Sequence, residues 1–402
     1  MNRSSEGERR LRIAMVGTRG VPAAYGGFET AVEEIGRRLA ERGHEVVVFC
    51  RSTTPRGPRT HLGMRLVHLP AIRHKVLETL SHTAVSSVAL LLSKRVDAAY
   101  LFNAANAPFL PLIRRRRVPV AVHVDGLEWK RGKWGRGGRT FYRLAEQLSV
   151  RWADALIADA RGIAEYYRDE FAAPTELISY GTNSDVSAES EHLEELGVEP
   201  GGYHLVVARF EPENHVDVIV DGFVSSGSTR RLVVVGSAPY SAAYTDRIAT
   251  TAQSDPRVTM LGGIWDQAQL DQLYANAVTY VHGHSVGGTN PSLLRAMGAG
   301  TAVVAWDVGF NREVAGDDAT YFHSPESLAE RLSLAESDIE KTRGQGAALR
   351  ERARAHYNWD DVADAYEDLA LRMAAGYSRR GAASGRRRGA RSDTAPDRSE
   401  RP

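Results

Sequence analysis

The sequence predicts an α/β protein of two doubly wound domains in tandem. Short runs rich in Val and Ile alternate with amphipathic stretches of helical period. The runs are apolar throughout, as strands are in a parallel sheet covered on both faces. The pattern also restarts after an acidic stretch ending in Pro-Gly-Gly, at 184–202. Two such sheets leave a cleft between their strand C-terminal ends, where ligands of open α/β sheets bind.

In chain order, the first set of strands falls at 12–17, 45–50, 65–69, 98–102, 119–123 and 154–158, with helical patterns such as 27–42 and 139–152 between them. The second set falls at 203–208, 231–236, 258–261, 279–282 and 301–305, with helices at 216–224, 266–275 and 291–298. A last helix pattern covers 357–374. The expected units are therefore 11–185, 202–356 and a final helix at 357–375. From Tyr377 to Pro402 eight Arg stand against three acids among Gly, Ser, Ala and Pro, the composition of a disordered basic tail.

The 402 residues are long for one core, and 43% hydrophobic with 25% charged is ordinary globular composition. A net charge of +1 gives no argument for nucleic acid. The single cysteine, Cys50, excludes an internal disulfide and a cysteine-based zinc site, and as the end of an apolar run it reads as a buried thiol. Residues 1–12 are polar and the longest apolar stretch, near 84–92, is too short to span a bilayer, so a cytoplasmic protein is expected. Leu110-Pro111-Leu112-Ile113 before Arg114–Arg117, with Arg73, His74 and Lys75, suggests contact with an anionic membrane; a solvated helix end is the equal alternative.

Four segments carry chemistry. After the first strand comes Gly17-Thr18-Arg19-Gly20, then Gly26-Gly27-Phe28-Glu29 at a helix start, where backbone amides can approach a phosphate. The spacing fits neither the dinucleotide fingerprint nor the Walker loop, and such glycines are as often tight turns. The fifth strand leads into His123-Val124-Asp125-Gly126-Leu127-Glu128-Trp129, which presents carboxylates and an indole suited to a sugar. The plain alternative is Asp125 as a helix cap and Trp129 in the core. In the second half, Arg209-Phe210-Glu211-Pro212-Glu213-Asn214 places at a strand end a guanidinium that can grip a diphosphate, or can simply pair with Glu211 or Glu213. The segment His282-Gly283-His284 through Gly287-Gly288-Thr289-Asn290-Pro291-Ser292 introduces a helix whose first amides could bind phosphate. His282 and His284 have no third ligand nearby, so no metal is expected.

Together these segments resemble family 4 glycosyltransferases, in the branch that includes bacterial polysaccharide rhamnosyltransferases. The resemblance rests on 17–30, 124–135, 207–215, 283–297 and 310–314, and on Tyr357-Asn358-Trp359-Asp360-Asp361-Val362, which looks like that family's crossover helix. It implies a GT-B fold and a nucleotide-diphosphate sugar donor on the second domain. The implied donor-diphosphate residues are Arg209, Asn214, Gly26, Gly27, Gly287, Gly288, Thr289, Asn290 and Ser292. On the acceptor side it implies Glu29, Glu128 and Trp129, with Asp125 or His123 as the catalytic group. Retention of configuration, no metal and no cofactor are implied, with a glycan or lipid-linked acceptor and rhamnose as the suggested sugar.

Three positions depart from the family pattern. The family's Glu-x7-Glu pair is here Gly287 and Arg295, and the second Glu is the one that holds the nucleotide ribose. The Lys that accompanies the diphosphate Arg is here Asn214. Arg295 is expected to replace that lost cation at the diphosphate. The alternative is a catalytically impaired GT-B scaffold in envelope polysaccharide assembly.

Overall fold

The computed structural model describes residues 9–23, 26–52, 57–72, 77–132, 134–186, 189–237 and 242–380. Two sheets form, as the alternation of apolar runs and helices predicts. The first has eight strands in the order β3-β4-β2-β1-β5-β6-β7-β8 and the second six in the order β11-β10-β9-β12-β13-β14. In the first, β1 is Arg12–Val16, β2 Glu45–Arg51, β3 Thr60–His61, β4 Met64–Leu69, β5 Ala98–Phe102, β6 Val120–His123, β7 Ala155–Ala158 and β8 Glu176–Leu177. In the second, β9 is Tyr203–Val207, β10 Arg231–Val235, β11 Val258–Gly262, β12 Thr279–His282, β13 Ala302–Trp306 and β14 Thr320–Phe322. All pairings are parallel except β3 with β4.

The strands were legible because they are buried on both faces: β5, β6 and β7 are buried at every residue. The short edge strands β3, β8 and β14 lack that apolar run and were not foreseen. Nor was the helix Leu77–Leu92, which covers the longest apolar stretch.

In each sheet the strand order reverses once, between β1 and β5 in the first and between β9 and β12 in the second. Reversal splays neighbouring loops apart and opens a crevice at the carboxyl ends. All four chemistry-bearing segments leave carboxyl ends of strands facing the seam between the two sheets.

The final helix, Trp359–Ala374, belongs spatially to the first unit. Its buried face of Val362, Tyr366, Leu369, Ala370 and Met373 packs on that sheet, with Tyr366 4.8 Å from the Tyr100 ring. Burial of such side chains stabilises by about 1.5–3 kcal/mol each. Arg42 reaches Asp364 and Glu367 at 2.6 Å, and Arg372 reaches Glu176 at 2.9 Å. The first residues of the expected disordered tail are held as well: Tyr377 Oη donates to Glu176 Oε1 (2.8 Å) and Ser378 Oγ to Asp154 Oδ1 (3.0 Å). Residues 381–402 lie outside the described residues.

Candidate functional site

On the second unit, the turn after β9 carries Arg209. Its side chain is 39% exposed and lies 3.5 Å from Glu211 Oε2, so the salt-bridge alternative read from sequence is realised with one arginine face still open. Asn214 is 1% exposed and gives its Nδ2 to the Arg209 carbonyl (2.8 Å). It therefore shapes the arginine's turn. Glu213 is buried, and neither carboxylate oxygen has a hydrogen-bond partner among the described residues.

The turn after β12 differs from expectation. Of the amides expected to cradle phosphate, Thr289 N–H donates to Asp159 Oδ2 of the first unit (3.0 Å), and Thr289 Oγ1 donates to the Asp159 carbonyl (2.6 Å). Ser292 N–H goes to Asn290 Oδ1 (3.0 Å), its hydroxyl to the same oxygen (2.7 Å), and residue 291 is a proline without N–H. Asn290 is thus a helix cap. In this arrangement Thr289 serves the seam and Asn290 Oδ1 and Ser292 serve the helix start.

The glycines explain how closely the units meet. A β-carbon on Gly126 would stand 2.8 Å from Gly287 Cα, one on Gly27 would stand 2.6 Å from Pro291 Cγ, and one on Gly288 would collide with the Asp159 carboxylate. Gly26 has φ 107° and caps the helix Gly27–Glu41, whose Glu29 accepts from Arg19 N–H (3.0 Å). Glu29 therefore braces the glycine loop, and burial raises its pKa. Ala24 and Tyr25 lie outside the described residues.

On the first unit, Asp125 follows β6 in a left-handed backbone conformation (φ 63°), uncommon for a residue with a β-carbon. His123 is 2% exposed, wedged edge-on against Phe28 (5.1 Å) and Tyr180 (5.5 Å), with Nδ1 unpartnered. Burial depresses its pKa to about 3. A low pKa favours the neutral ring, the form that can orient a hydroxyl by hydrogen bonding.

Glu128 does not face the cleft as a free acceptor-side carboxylate. It pairs with Arg131 and accepts from Trp134 Nε1 (3.4 Å). Trp129 lies between Lys130 and Arg143, whose charges sit 5.4 and 5.0 Å from its ring. The alternative of Asp125 as helix cap is not seen: the helix Arg136–Trp152 starts from Gly135 with no side-chain cap.

Three residues that sequence reasoning missed cross the seam. Asp159, just after β7, is 2% exposed, and burial beside Asp125 raises its pKa to about 7. Arg131 reaches Glu211 of the second unit at 3.6 Å. Glu313 accepts from Arg161 N–H at 2.7 Å, so a carboxylate from one unit caps a helix of the other. Asp159 had one visible signal, its place at the end of a predicted strand; Arg131 and Glu313 lie within segments that carry the family resemblance, but their partners are remote in sequence.

Arg295 is held by residues of its own unit. Its Nε donates to Asp271 (2.8 Å), and its other nitrogens donate to Gln267 Oε1 (2.7 Å) and the Gln267 carbonyl (2.8 Å). His282, which is buried, and His284, which is partly so, stack 4.4 Å apart with pKa values depressed by desolvation, and among the described residues no group of three His, Cys, Asp or Glu could hold a metal ion.

Residues 26–181 match the family described as "Glycosyl transferase 4-like domain", and residues 189–356 match "Glycosyl transferases group 1". No curated protein sequence matches the chain. Among solved structures, sucrose-phosphate synthase from Thermosynechococcus elongatus superposes with TM-score 0.78 at 21% identity, covering 91% of this chain and 100% of that one. The Anabaena protein HepE in complex with UDP-glucose gives 0.72 at 16%, covering 90% and 100%. A glycosyltransferase from Rickettsia africae gives 0.69 at 12%, covering 92% and 100%. At these identities the likeness is one of fold.

Proposed function

The chain is a GT-B glycosyltransferase, a 4-like domain followed by a group 1 domain, and from that premise we propose that it moves a sugar from a nucleotide-diphosphate donor to a polysaccharide or lipid-linked glycan. The observation that carries this reading is Arg209, half-exposed at the switch point of the second sheet with a single carboxylate beside it. A diphosphate offers that guanidinium a stronger, two-pronged partner than Glu211 does. That HepE was solved with UDP-glucose supports a nucleotide-sugar for the shared fold.

When the bond from the sugar's anomeric carbon to the diphosphate breaks, negative charge grows on the leaving oxygen, and Arg209 is placed to meet it. Asp125, across the seam, is suited to orient the acceptor hydroxyl and to face the positive charge on the sugar. His123 positions Phe28 and Tyr180 around that loop. The transfer retains configuration and uses no metal, and rhamnose is the sugar to try first, on the strength of the branch resembled. A panel of nucleotide-sugars titrated by calorimetry, followed by mass spectrometry and NMR of any glycan product, tests the reading. Absence of donor binding across the panel would leave a scaffold role in its place.

A peripheral membrane site is part of the same reading, beside the basic run that the sequence suggested, where Arg116 donates to the Leu91 carbonyl (3.0 Å). Leu110 and Ile113 are core residues, Arg114 is paired with Asp154, and Arg73, His74 and Lys75 lie outside the described residues. The exposed apolar face belongs instead to the helix Leu77–Leu92, where Val85, Val88 and Leu92 stand out, Leu92 at 80% exposure, near Lys94 and Arg95. No helix among the described residues is long and apolar enough to cross a membrane. Replacing Val88 and Leu92 by Asp should cut sedimentation with anionic liposomes by about tenfold; unchanged sedimentation would refute this placement.

A further inference from the structure

Against the seam, the first unit carries a cavity of about 790 Å³ whose chemistry the donor reading does not use. Its wall is formed by Trp129, Lys130, Arg136, Arg139 and Arg143 with Thr140, and Val286 from the turn after β12 also lines it. Four of these side chains are cations and none is a carboxylate. Arg143 has a partner, Glu170 at 3.2 Å, but among the described residues no carboxylate lies within 4.0 Å of Lys130, Arg136 or Arg139. Like charges gathered around one hollow repel unless an anion enters it.

The local backbone is arranged in the same sense. Arg136 and Arg139 stand in the first turn of the helix Arg136–Trp152, which has no acidic residue there and no side-chain cap on Gly135. Cations are disfavoured at this positive end of a helix, whereas an anion is favoured there. A β-carbon on Gly135 or Gly137 would touch nothing within 4 Å, so packing does not demand glycine at either place and the space beside this helix start is open.

We propose that this cavity holds a phosphate or pyrophosphate ester borne by the acceptor, next to the Asp125 loop where the acceptor hydroxyl would react. The inference rests on the glycosyltransferase reading for the word acceptor; the anion site itself does not. Guanidinium groups bind phosphate oxygens in pairs, and the hollow is larger than one ion requires, as an ester with its attached group would need. The donor diphosphate is assigned elsewhere, to Arg209 on the opposite unit.

The test uses the full chain, inorganic pyrophosphate and a nucleoside diphosphate in calorimetry, and the variants Arg136→Ala/Arg139→Ala and Arg209→Ala. Arg136 and Arg139 are exposed, so the fold is not at stake. Pyrophosphate should still bind the Arg209→Ala chain and should weaken about tenfold or more in the double variant, with a marked salt dependence. The nucleoside diphosphate should respond to Arg209→Ala alone. A soluble hexose phosphate and a polyprenyl phosphate in phosphatidylcholine vesicles then distinguish the two sources of the ester by which one needs Arg136 and Arg139. Pyrophosphate binding that disappears with Arg209→Ala and ignores the double variant overturns the proposal. Loss of nucleoside diphosphate binding, with the Arg136- and Arg139-dependent pyrophosphate signal intact, overturns the donor reading and leaves the cavity standing.

Discussion

The turns after β9 and β12 look alike in sequence and behave differently in the fold. Each follows a buried parallel strand at the same switch point, and each offers phosphate-friendly groups. The turn after β9 keeps Arg209 half-exposed and loosely paired. In the turn after β12, Thr289 and Ser292 are already bonded, the first to Asp159 across the seam and the second within its own helix cap. Residue type shows what a turn can bind; whether the group is free depends on contacts made at long range. One turn is suited to a ligand and the other to joining the two halves.

Replacing the residue that defines the first turn should have the largest effect. Arg209→Ala removes charge-assisted hydrogen bonds worth about 1.5–3 kcal/mol each, so kcat/KM should fall by about 100-fold or more in a steady-state assay. A fall of only a few-fold would erase the contrast between the turns. Thr289→Val keeps the backbone N–H and removes the hydroxyl bond to the Asp159 carbonyl. Leaving that buried oxygen unmet costs about 1–3 kcal/mol. The loss should appear in thermal stability, with nucleoside diphosphate affinity changed by less than about threefold. A large affinity loss at constant stability would move Thr289 into the ligand site.

The third test is pH. Asp159 ionises near 7 in the closed seam against 3.8 for an unburied carboxyl. Below 3.8 it is protonated folded or unfolded and contributes nothing. Between about 4 and about 7 the unfolded chain gives up the proton more readily, so stability falls as pH rises, then levels off. Glu146, raised to about 7 by burial, adds a slope of the same sign. The difference between wild-type and Asp159→Asn melting curves isolates the seam carboxylate. Parallel curves across this range would show that Asp159 titrates normally. The smallest effect is expected at Arg295→Ala, which breaks a part-exposed pair with Asp271. Such pairs contribute up to about 1 kcal/mol, and nucleoside diphosphate affinity should stay within about threefold by calorimetry. A tenfold loss would return Arg295 to the donor site.

The two sheets, their order of appearance and the final helix were readable from the sequence because burial on both faces writes itself as unbroken apolar runs such as Val46-Val47-Val48-Phe49. Arg209 was readable because a guanidinium at a strand end is locally visible. Asp159, Arg131 and Glu313 were not, since nothing near them in sequence marks a partner on the other unit. The neutral state of His123 was equally hidden: its depressed pKa comes from burial, with Phe28, Phe102 and Tyr180 packed around the ring from three other segments.

Because the helix Trp359–Ala374 covers the first sheet, the order in which the chain is made and the order in which it can be completed are different. A ribosome releases the first unit before the helix that packs on Tyr100 exists, so that surface waits, solvated, while the second unit is synthesised. A fragment cut at the linker would inherit the same bare flank, and a stable version of the first unit would have to be built by joining it to residues 357–380.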